Sequence, residues 1–430
     1  FGFFSAFNAN AIKSVDLYKG AFPSKYGGRL SSVIDLTGKV GSFNEIKGNL
    51  SVNLLSALGS IEIPFLKKFS FFASGRRSFT DLLQTSFFEK IFSQFDPEDD
   101  IENLEPFIPT FNFYDFNSKL SFKPSKDDLI TFSFYRGEDN LDESSDTKRY
   151  QYPNFGNIDK IEIIGDLDRI SRWGNEGYSF KWSRQWNPKF YNSLNVSYSK
   201  YYNFQDDSYF VDVRIPELDS TIFDLSVILD QDNSVQDFTA RYDAEIVSGK
   251  NNKFEFGAEY TKSEVDYLFV RDDTLNIIDT DQESKLYSAY ISYDLKSVEN
   301  LNLKIGLRGS RYGFNDKNYF SPRFQFDYSL TDKLKVKAGY GVHYQFVKKI
   351  VGEGVTSRSR DFWLLSEDNN VKVGKSTHYV AGLSYERDAW LINSEVFYKD
   401  VENLTEFSLR YQNAGISSLF FTGSGTVKGF

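Results

Sequence analysis

The chain holds two histidines, no cysteine and no methionine among 430 residues. Thiol nucleophiles, thiolate metal sites and disulfide frameworks are therefore excluded together. His343 and His378 stand in no HExxH spacing, and no GxSxG elbow occurs, so neither a zinc hydrolase nor a serine hydrolase pattern is present. His343 falls on the polar face of an alternating run, which predicts a wet, lumen-lining residue rather than a metal ligand. Carboxylates group at Asp96, Glu98, Asp99, Asp100 and Glu102, at Glu138, Asp139, Asp142, Glu143 and Asp146, and at Asp272, Asp273, Asp279, Asp281 and Glu283. None follows the D-x-[DN]-x-[DN]-G pattern of a calcium loop, so solvated loops are expected and no metal, cofactor or catalytic residue is assigned.

Recognition rather than catalysis is the chemistry on offer. The run Ser14 to Thr37 reads as strand, turn, strand around Pro23, Tyr26, Gly27, Gly28 and Arg29. Paired glycines permit positive φ or a very close wall, while Tyr26 adds an aromatic face and Arg29 a fixed five-donor fork. Tyr150, Tyr152, Trp173, Phe362 and Trp363 fall in long connections, where their rings could stack on a ligand. Leu83, Phe87, Ile91 and Phe95 recur every four residues behind Thr80, predicting a short amphipathic helix in the first long loop.

The elements that position these residues are strands. Ile130, Phe132 and Phe134 oppose Thr131 and Ser133; Tyr178, Phe180 and Trp182 oppose Ser179, Lys181 and Ser183; Phe238, Ala240, Tyr242 and Ala244 oppose Thr239, Arg241, Asp243 and Glu245. Charges repeated along the second face must meet water. About fifteen strands can be counted, several long enough for the ~9 to 11 residues that cross a bilayer at a tilt. Short links near 64–68, 124–128, 187–189, 249–252, 296–300, 331–333 and 386–388 alternate mostly with long ones near 80–109, 138–171, 206–234, 261–284 and 347–375. Tight turns on one side and long loops on the other describe an antiparallel transmembrane β-barrel, an all-β fold. Composition agrees: aromatic residues make up 17% of the chain, with 43 Phe and 27 Tyr, while the mean hydropathy of −0.44 excludes a bundle of membrane helices. A net charge of −10 leaves no basic stripe for nucleic acid.

AIKSVDLYKGAFPSKYGGRLSSVIDLTGK resembles the end of the plug domain of TonB-dependent outer-membrane receptors, in the branch found in Bacteroidetes-type bacteria. GRRSF at 75–79, FYDFNSKL at 113–120, FSFYRGED at 132–139, SPRFQFDYSL at 321–330 and EVFYKDVENLTEF at 395–407 resemble the same family's barrel, in the same order. The resemblance implies a plug end over residues 1–40 and a barrel over 41–430. It implies active import of a scarce nutrient, with capture by extracellular loops and gating by the plug. Its partners would be a TonB-type energy-coupling complex acting through an amino-terminal region, outer-membrane lipid and lipopolysaccharide, and a siderophore, glycan, peptide or other small ligand. Arg29 would pair with carboxylates on the inner wall, holding or gating the plug. The family's barrel closes with twenty-two strands, so six or seven are expected beyond Phe430. Without a leader at Phe1, the chain reads as a fragment. The final GSGTVKGF, which shows no apolar alternation, resembles an interior run of the family. The alternative readings are a passive porin or surface adhesion barrel, and a secreted carbohydrate-binding β protein.

Overall fold

In the computed structural model, residues 8–81, 109–155, 158–215, 220–249, 251–353, 360–408 and 420–430 are described. The predicted helix around Leu83 to Phe95 and the Asp96 to Glu102 cluster lie outside them. Elsewhere the chain is strand after strand, with a single 3₁₀ turn at Ala9–Ala11.

β1 (Ile12–Tyr18) and β2 (Val33–Gly38) form a two-stranded antiparallel ribbon, as the flanking apolar runs predict. The wall begins with β3 (Lys47–Val52), β4 (Ser56–Phe65), β5 (Phe69–Ser78), β6 (Thr110–Phe122), β7 (Asp128–Asp142), β8 (Ser145–Phe155) and β9 (Ile158–Asn187). It continues through β10 (Phe190–Ile215), β11 (Ser220–Ser248), β12 (Asn252–Arg271), β13 (Leu275–Leu295), β14 (Leu301–Tyr312), β15 (Lys317–Ser329) and β16 (Leu334–Gln345). It ends with β17 (Val347–Glu353), β18 (Arg360–Leu365), β19 (Gly374–Arg387), β20 (Trp390–Ser408) and β21 (Phe420–Gly429). Sixteen of these run in one antiparallel series, β3 to β7, β9 to β16 and β19 to β21, wrapped around the β1–β2 ribbon. Among the described residues no register joins β21 to β3, and β3 is exposed along its length.

The seven short links fall where the sequence places them. Several are turned by residues that tolerate positive φ, such as Asn251, Asn300 and Asp388. The long connections are a correction. Much of 138–171, 206–234 and 261–284 is not loop but continued hairpin: β10 and β11 pair without interruption from Phe190↔Ile246 to Val213↔Phe223, and β12 turns tightly into β13 at Asp272 and Asp273. A strand of 26 residues is far longer than a bilayer crossing requires. Beyond the bilayer neither face of the ribbon meets hydrocarbon, so Gln205, Asp206, Asp207 and Ser208 carry the ladder with no apolar alternation to announce it. At the carboxyl end Phe420–Gly429 forms a strand on β20 despite its glycines.

Facing outward are the apolar residues, Phe132 at 54% exposure and Ile291 at 54% among them. This lipid-facing side carries rings in register, including Phe69 stacked on Phe122 at 4.3 Å near one end and Tyr260 beside Tyr287 at 5.2 Å near the other. The inward face holds the charges, paired into networks such as Lys253–Glu255–Lys304 and Arg241–Glu259–Arg308.

β16 pairs directly with β19, and β17 and β18 form an inward hairpin whose β17 also runs parallel to β20 from Val351↔Glu406 to Glu353↔Ser408. It reaches the far wall, where Trp363 N–H donates to Asn233 Oδ1 at 2.7 Å and Leu365 N–H to Gln282 Oε1 at 2.9 Å. Ile350, Phe362 and Leu364 pack there against Tyr267 and Phe269.

Candidate functional site

The ribbon touches the wall at the Gly38 end of β2, where Lys119 donates to Gly38 O at 3.3 Å, and more extensively at the loop between β1 and β2, whose glycines show why. Gly28 sits at φ +72°, where a side chain is strained, and a Cβ on Gly27 would meet Arg308 Nε at 2.5 Å. One glycine is there for conformation, the other for contact. Tyr26 donates from its phenol to the Asp35 carboxylate and lies 5.3 Å from the Tyr18 ring, fixing the loop to its own ribbon. Burial, with Asp35 beside it, pushes the Tyr26 phenol above its ordinary value; burial lowers the Lys25 ammonium.

The polar contacts of the wall with this loop go to its backbone. Lys399 on β20 donates to the carbonyls of Lys19 (2.8 Å) and Ser31 (2.9 Å), closing both ends of the loop with one ammonium. On β19, His378 Nδ1 accepts the Ala21 N–H at 3.3 Å and Nε2 lies 2.7 Å from the Leu30 carbonyl. These two contacts assign the proton to Nε2. Gln325 donates to Ala21 O at 2.7 Å, Arg323 to Phe22 O at 2.8 Å and Pro23 O at 2.5 Å, and Arg308 to Lys25 O at 3.4 Å. Phe22 is fully buried between the Arg323 guanidinium (4.6 Å) and the His343 ring (4.0 Å). Pro23 is buried too. Hydrogen bonds from charged donors are each worth about 1.5–3 kcal/mol net. The loop is therefore fastened both by separate bonds to its carbonyls and by the packing of Phe22.

Two expectations about this site are corrected. Arg29 forms no ion pair among the described residues; it stands exposed and donates to its own Gly28 carbonyl at 2.9 Å. The forks that matter belong to the wall, because a carbonyl-lined loop presents acceptors and needs donors opposite. His343 does point inward, yet it is not wet: it is fully buried, its nitrogens have no partner, and Phe22 and His378 cover it.

Above the loop, Tyr26 to Arg29 floor a cavity of about 260 Å³ walled by Asp237, Arg241 and Glu259 and roofed by the foot of the β17–β18 hairpin. Its lining mixes these charges with apolar residues such as Leu286, Phe346 and Leu365, and no metal-binding cluster occurs among the described residues. The aromatic candidates do not converge on it. Phe362 is fully buried, stacked on Tyr267 at 4.2 Å, and packs the hairpin against the wall. Trp363 is partly covered, edge-on to Tyr201 at 6.3 Å. Trp173 packs on Phe111 at 6.4 Å in a separate cluster. Tyr150 and Tyr152 lie on β8, whose side chains are outside the described residues. Arg308, Arg323, Gln325, His378 and Lys399 were the residues missed. The sequence marks them only as polar members of alternating strands, Arg323 and Gln325 opposite Phe324 and Phe326.

The family described as TonB dependent receptor-like, beta-barrel matches residues 110–430. The chain belongs to this family. It is an outer-membrane β-barrel protein, in keeping with the outward apolar face. No curated protein matches it in sequence. Among solved structures, a ferric enterobactin receptor mutant from Pseudomonas aeruginosa shares 16% identity at a TM-score of 0.62, with 92% of this chain covered. The chain spans only 59% of that receptor's length. The siderophore receptor PirA from the same organism gives 14% identity and a TM-score of 0.65, covering 97% of this chain and 68% of its own. The outer membrane transporter YddB from Escherichia coli gives 13% and 0.58, covering 92% and 57%. At these identities the likeness is one of fold. The family is one of receptors and transporters rather than enzymes.

Proposed function

We propose that this chain serves TonB-dependent import of a scarce nutrient across the outer membrane, with residues 1–40 as the end of a plug and 41–430 as its barrel. The carrying observation is the clasp on Lys19 to Ser31: five wall side chains bind loop backbone by bonds that can break and re-form individually. A gate needs separable contacts, and these bonds stand beside a single packed ring, Phe22. Energy coupling by a TonB-type complex belongs to this reading, as does the Bacteroidetes-type branch suggested by YKGAFPSKYGGRLSSVID. Arg29, exposed above the loop beside Asp237, is suited to meet an incoming polar ligand. Siderophores, cobalamin, glycans and peptides remain the ligand classes.

The test is uptake by cells carrying the complete protein, offered radiolabelled ferric enterobactin, cobalamin or a maltooligosaccharide, with and without a protonophore. Accumulation of one probe that the protonophore abolishes supports the reading. Uptake that persists unchanged with the protonophore identifies a passive porin instead.

A further inference from the structure

The loop that carries Arg29 into the upper chamber carries Lys25 into a second one. On the side of the short turns at 187–189 and 249–252, a cavity of about 510 Å³ lies between the ribbon and its loop, at Lys25, Tyr26 and Asp35, and the wall, at Lys181, Asn195 and Arg241. Tyr26 and Arg241 border both cavities and so form the partition between them. Lys181, Asn195 and Arg241 are mutually in register on β9, β10 and β11, which sets them side by side on the luminal wall.

The carboxylates of this chamber are already matched. Tyr26 donates to Asp35; Arg241 Nε donates to both oxygens of Asp243 at 2.8 Å, and the Tyr290 phenol donates to the same group at 2.6 Å. Lys253 bridges Glu245 (3.1 Å) and Glu255 (2.8 Å), and Lys304 reaches Glu255 at 2.6 Å. Two cations are left over. Among the described residues neither Lys25 nor Lys181 has a carboxylate within 4.0 Å, and the Asn195 amide has no protein acceptor. Lys25 lies over the ring of Tyr26, at 4.6 Å. Desolvating an ammonium without a counter-ion is costly, and burial lowers Lys25 although Asp35 and Glu255 oppose the shift.

We infer that this chamber binds a phosphate group between Lys25 of the loop and Lys181 of the wall, as the free ion or as the ester of a small hydroxylated molecule. The planar fork that would suit a carboxylate, Arg241, is already closed by Asp243. What remains are ammonium groups, point charges with three rotatable donors each, and these fit a tetrahedral dianion whose oxygens turn to both walls at once. Asn195 adds a donor beside Lys181. The volume lies within the range of about 300–1,000 Å³ typical of pockets for whole small molecules, so a phosphate can enter with the body that bears it. The inference goes beyond the import reading and does not depend on it, because equilibrium binding needs no energy coupling; either can fail while the other stands.

The test is equilibrium dialysis of radiolabelled glucose 6-phosphate against the complete protein in a non-ionic detergent and a phosphate-free buffer. Saturable binding is expected, and Lys25→Ser and Lys181→Ser should each weaken it by about tenfold or more, whereas Lys333→Ser, on a short turn outside the chamber, should leave it unchanged. Unlabelled inorganic phosphate should compete; glucose and acetate should not. Competition by inorganic phosphate as tight as by the unlabelled ester assigns the site to the free ion, and tighter competition by the ester assigns it to a phosphorylated ligand. Absence of saturable binding overturns the inference, as do competition by acetate or glucose equal to that by phosphate and a loss confined to one of the two lysines. Should a serine variant lose heat-modifiable migration, the acetate and glucose competitions on the parent protein decide.

Discussion

His378 and Leu30, distant in sequence, meet at 2.7 Å through imidazole Nε2 and a backbone carbonyl, and the other nitrogen of the same ring takes the amide of Ala21. One neutral imidazole thus acts as donor to one limb of the loop and acceptor from the other. A histidine in a single tautomer does this without bringing a charge into a buried position already bordered by Arg323 and Lys399.

Replacing that ring by His378→Phe should keep the volume and delete both bonds. Leaving a buried carbonyl and amide unpaired costs about 1–3 kcal/mol, which loosens the loop about tenfold or more. Since the chain has no cysteine, a single Arg29→Cys reporter can be labelled with maleimide. The labelling rate should rise by that factor in the His378→Phe background, with heat-modifiable migration of the barrel unchanged. An unaltered rate would mean that the ring does not hold the loop.

Gly27 and Gly28 should fail differently when a methyl is added. At Gly27 the new Cβ collides with the Arg308 guanidinium, displacing it from Lys25 O and from Glu259, so Gly27→Ala should weaken the clasp and the luminal network together. At Gly28 the space is open and the cost is backbone strain alone, about 1–2 kcal/mol. Combining each with Arg308→Ala separates them: the cost of Gly27→Ala should largely vanish in that background, and that of Gly28→Ala should persist. The Arg29→Cys labelling rate is the readout.

Much of this architecture was legible because a membrane wall imposes period two wherever it crosses lipid. Ile130, Phe132 and Phe134 declare their face, and the short turns at Asn251, Asn300 and Asp388 declare the end of the barrel. Legibility stopped at the hydrocarbon edge. Above it the hairpin of β10 and β11 has polar residues on both faces, so strand and loop carry the same composition. The clasp was illegible for another reason. The wall residues recognise carbonyls, which every sequence supplies, so nothing at Ala21 or Leu30 could name His378 as its partner. Arg29 drew notice as the only fork in the loop, but the loop's acceptors called for donors from the wall, on Arg323 and Arg308.

The Tyr26 phenol gives the clasp an alkaline limit. Its pKa is raised in the folded protein, by burial first and then by Asp35. The stabilisation is therefore complete below the ordinary phenol value of about 10 and is lost as pH rises beyond it. Lys25, lowered by burial, works the other way, since its buried charge is relieved as pH rises. Comparing the parent loop with Tyr26→Phe at each pH isolates the phenol. The ratio of their Arg29→Cys labelling rates should be flat from pH 8 to about 10 and should move toward faster labelling of the parent above it. A flat ratio throughout would show that Tyr26 carries no linked proton.

The two faces of β7 should respond oppositely to the same charge. Phe132 is 54% exposed on the lipid side, whereas Ser133 faces the lumen. Phe132→Arg places a cation against hydrocarbon and should cost about 2–4 kcal/mol near the bilayer midplane. Ser133→Arg should cost well under half of that. Denaturant unfolding in lipid vesicles measures both, and equal costs would contradict the assigned face.

The inward hairpin hangs on Asn233, whose amide accepts Trp363 N–H at 2.7 Å and donates to Trp363 O at 3.2 Å and to Asp266 O at 2.9 Å. Asn233→Ala removes all three bonds at a buried position, while the stacked Tyr267 and Phe362 rings remain. Polar loss of this kind is worth about 1–3 kcal/mol, so exchange of the Trp363 amide with solvent deuterium should accelerate by about tenfold or more. Phe362→Ala attacks the same hairpin through its packing, at about 3–5 kcal/mol, and should release it more completely. If the two substitutions add without interaction, bonds and packing hold the hairpin independently. A double-mutant cycle with a clear deficit would show that the hairpin leaves the far wall as one unit.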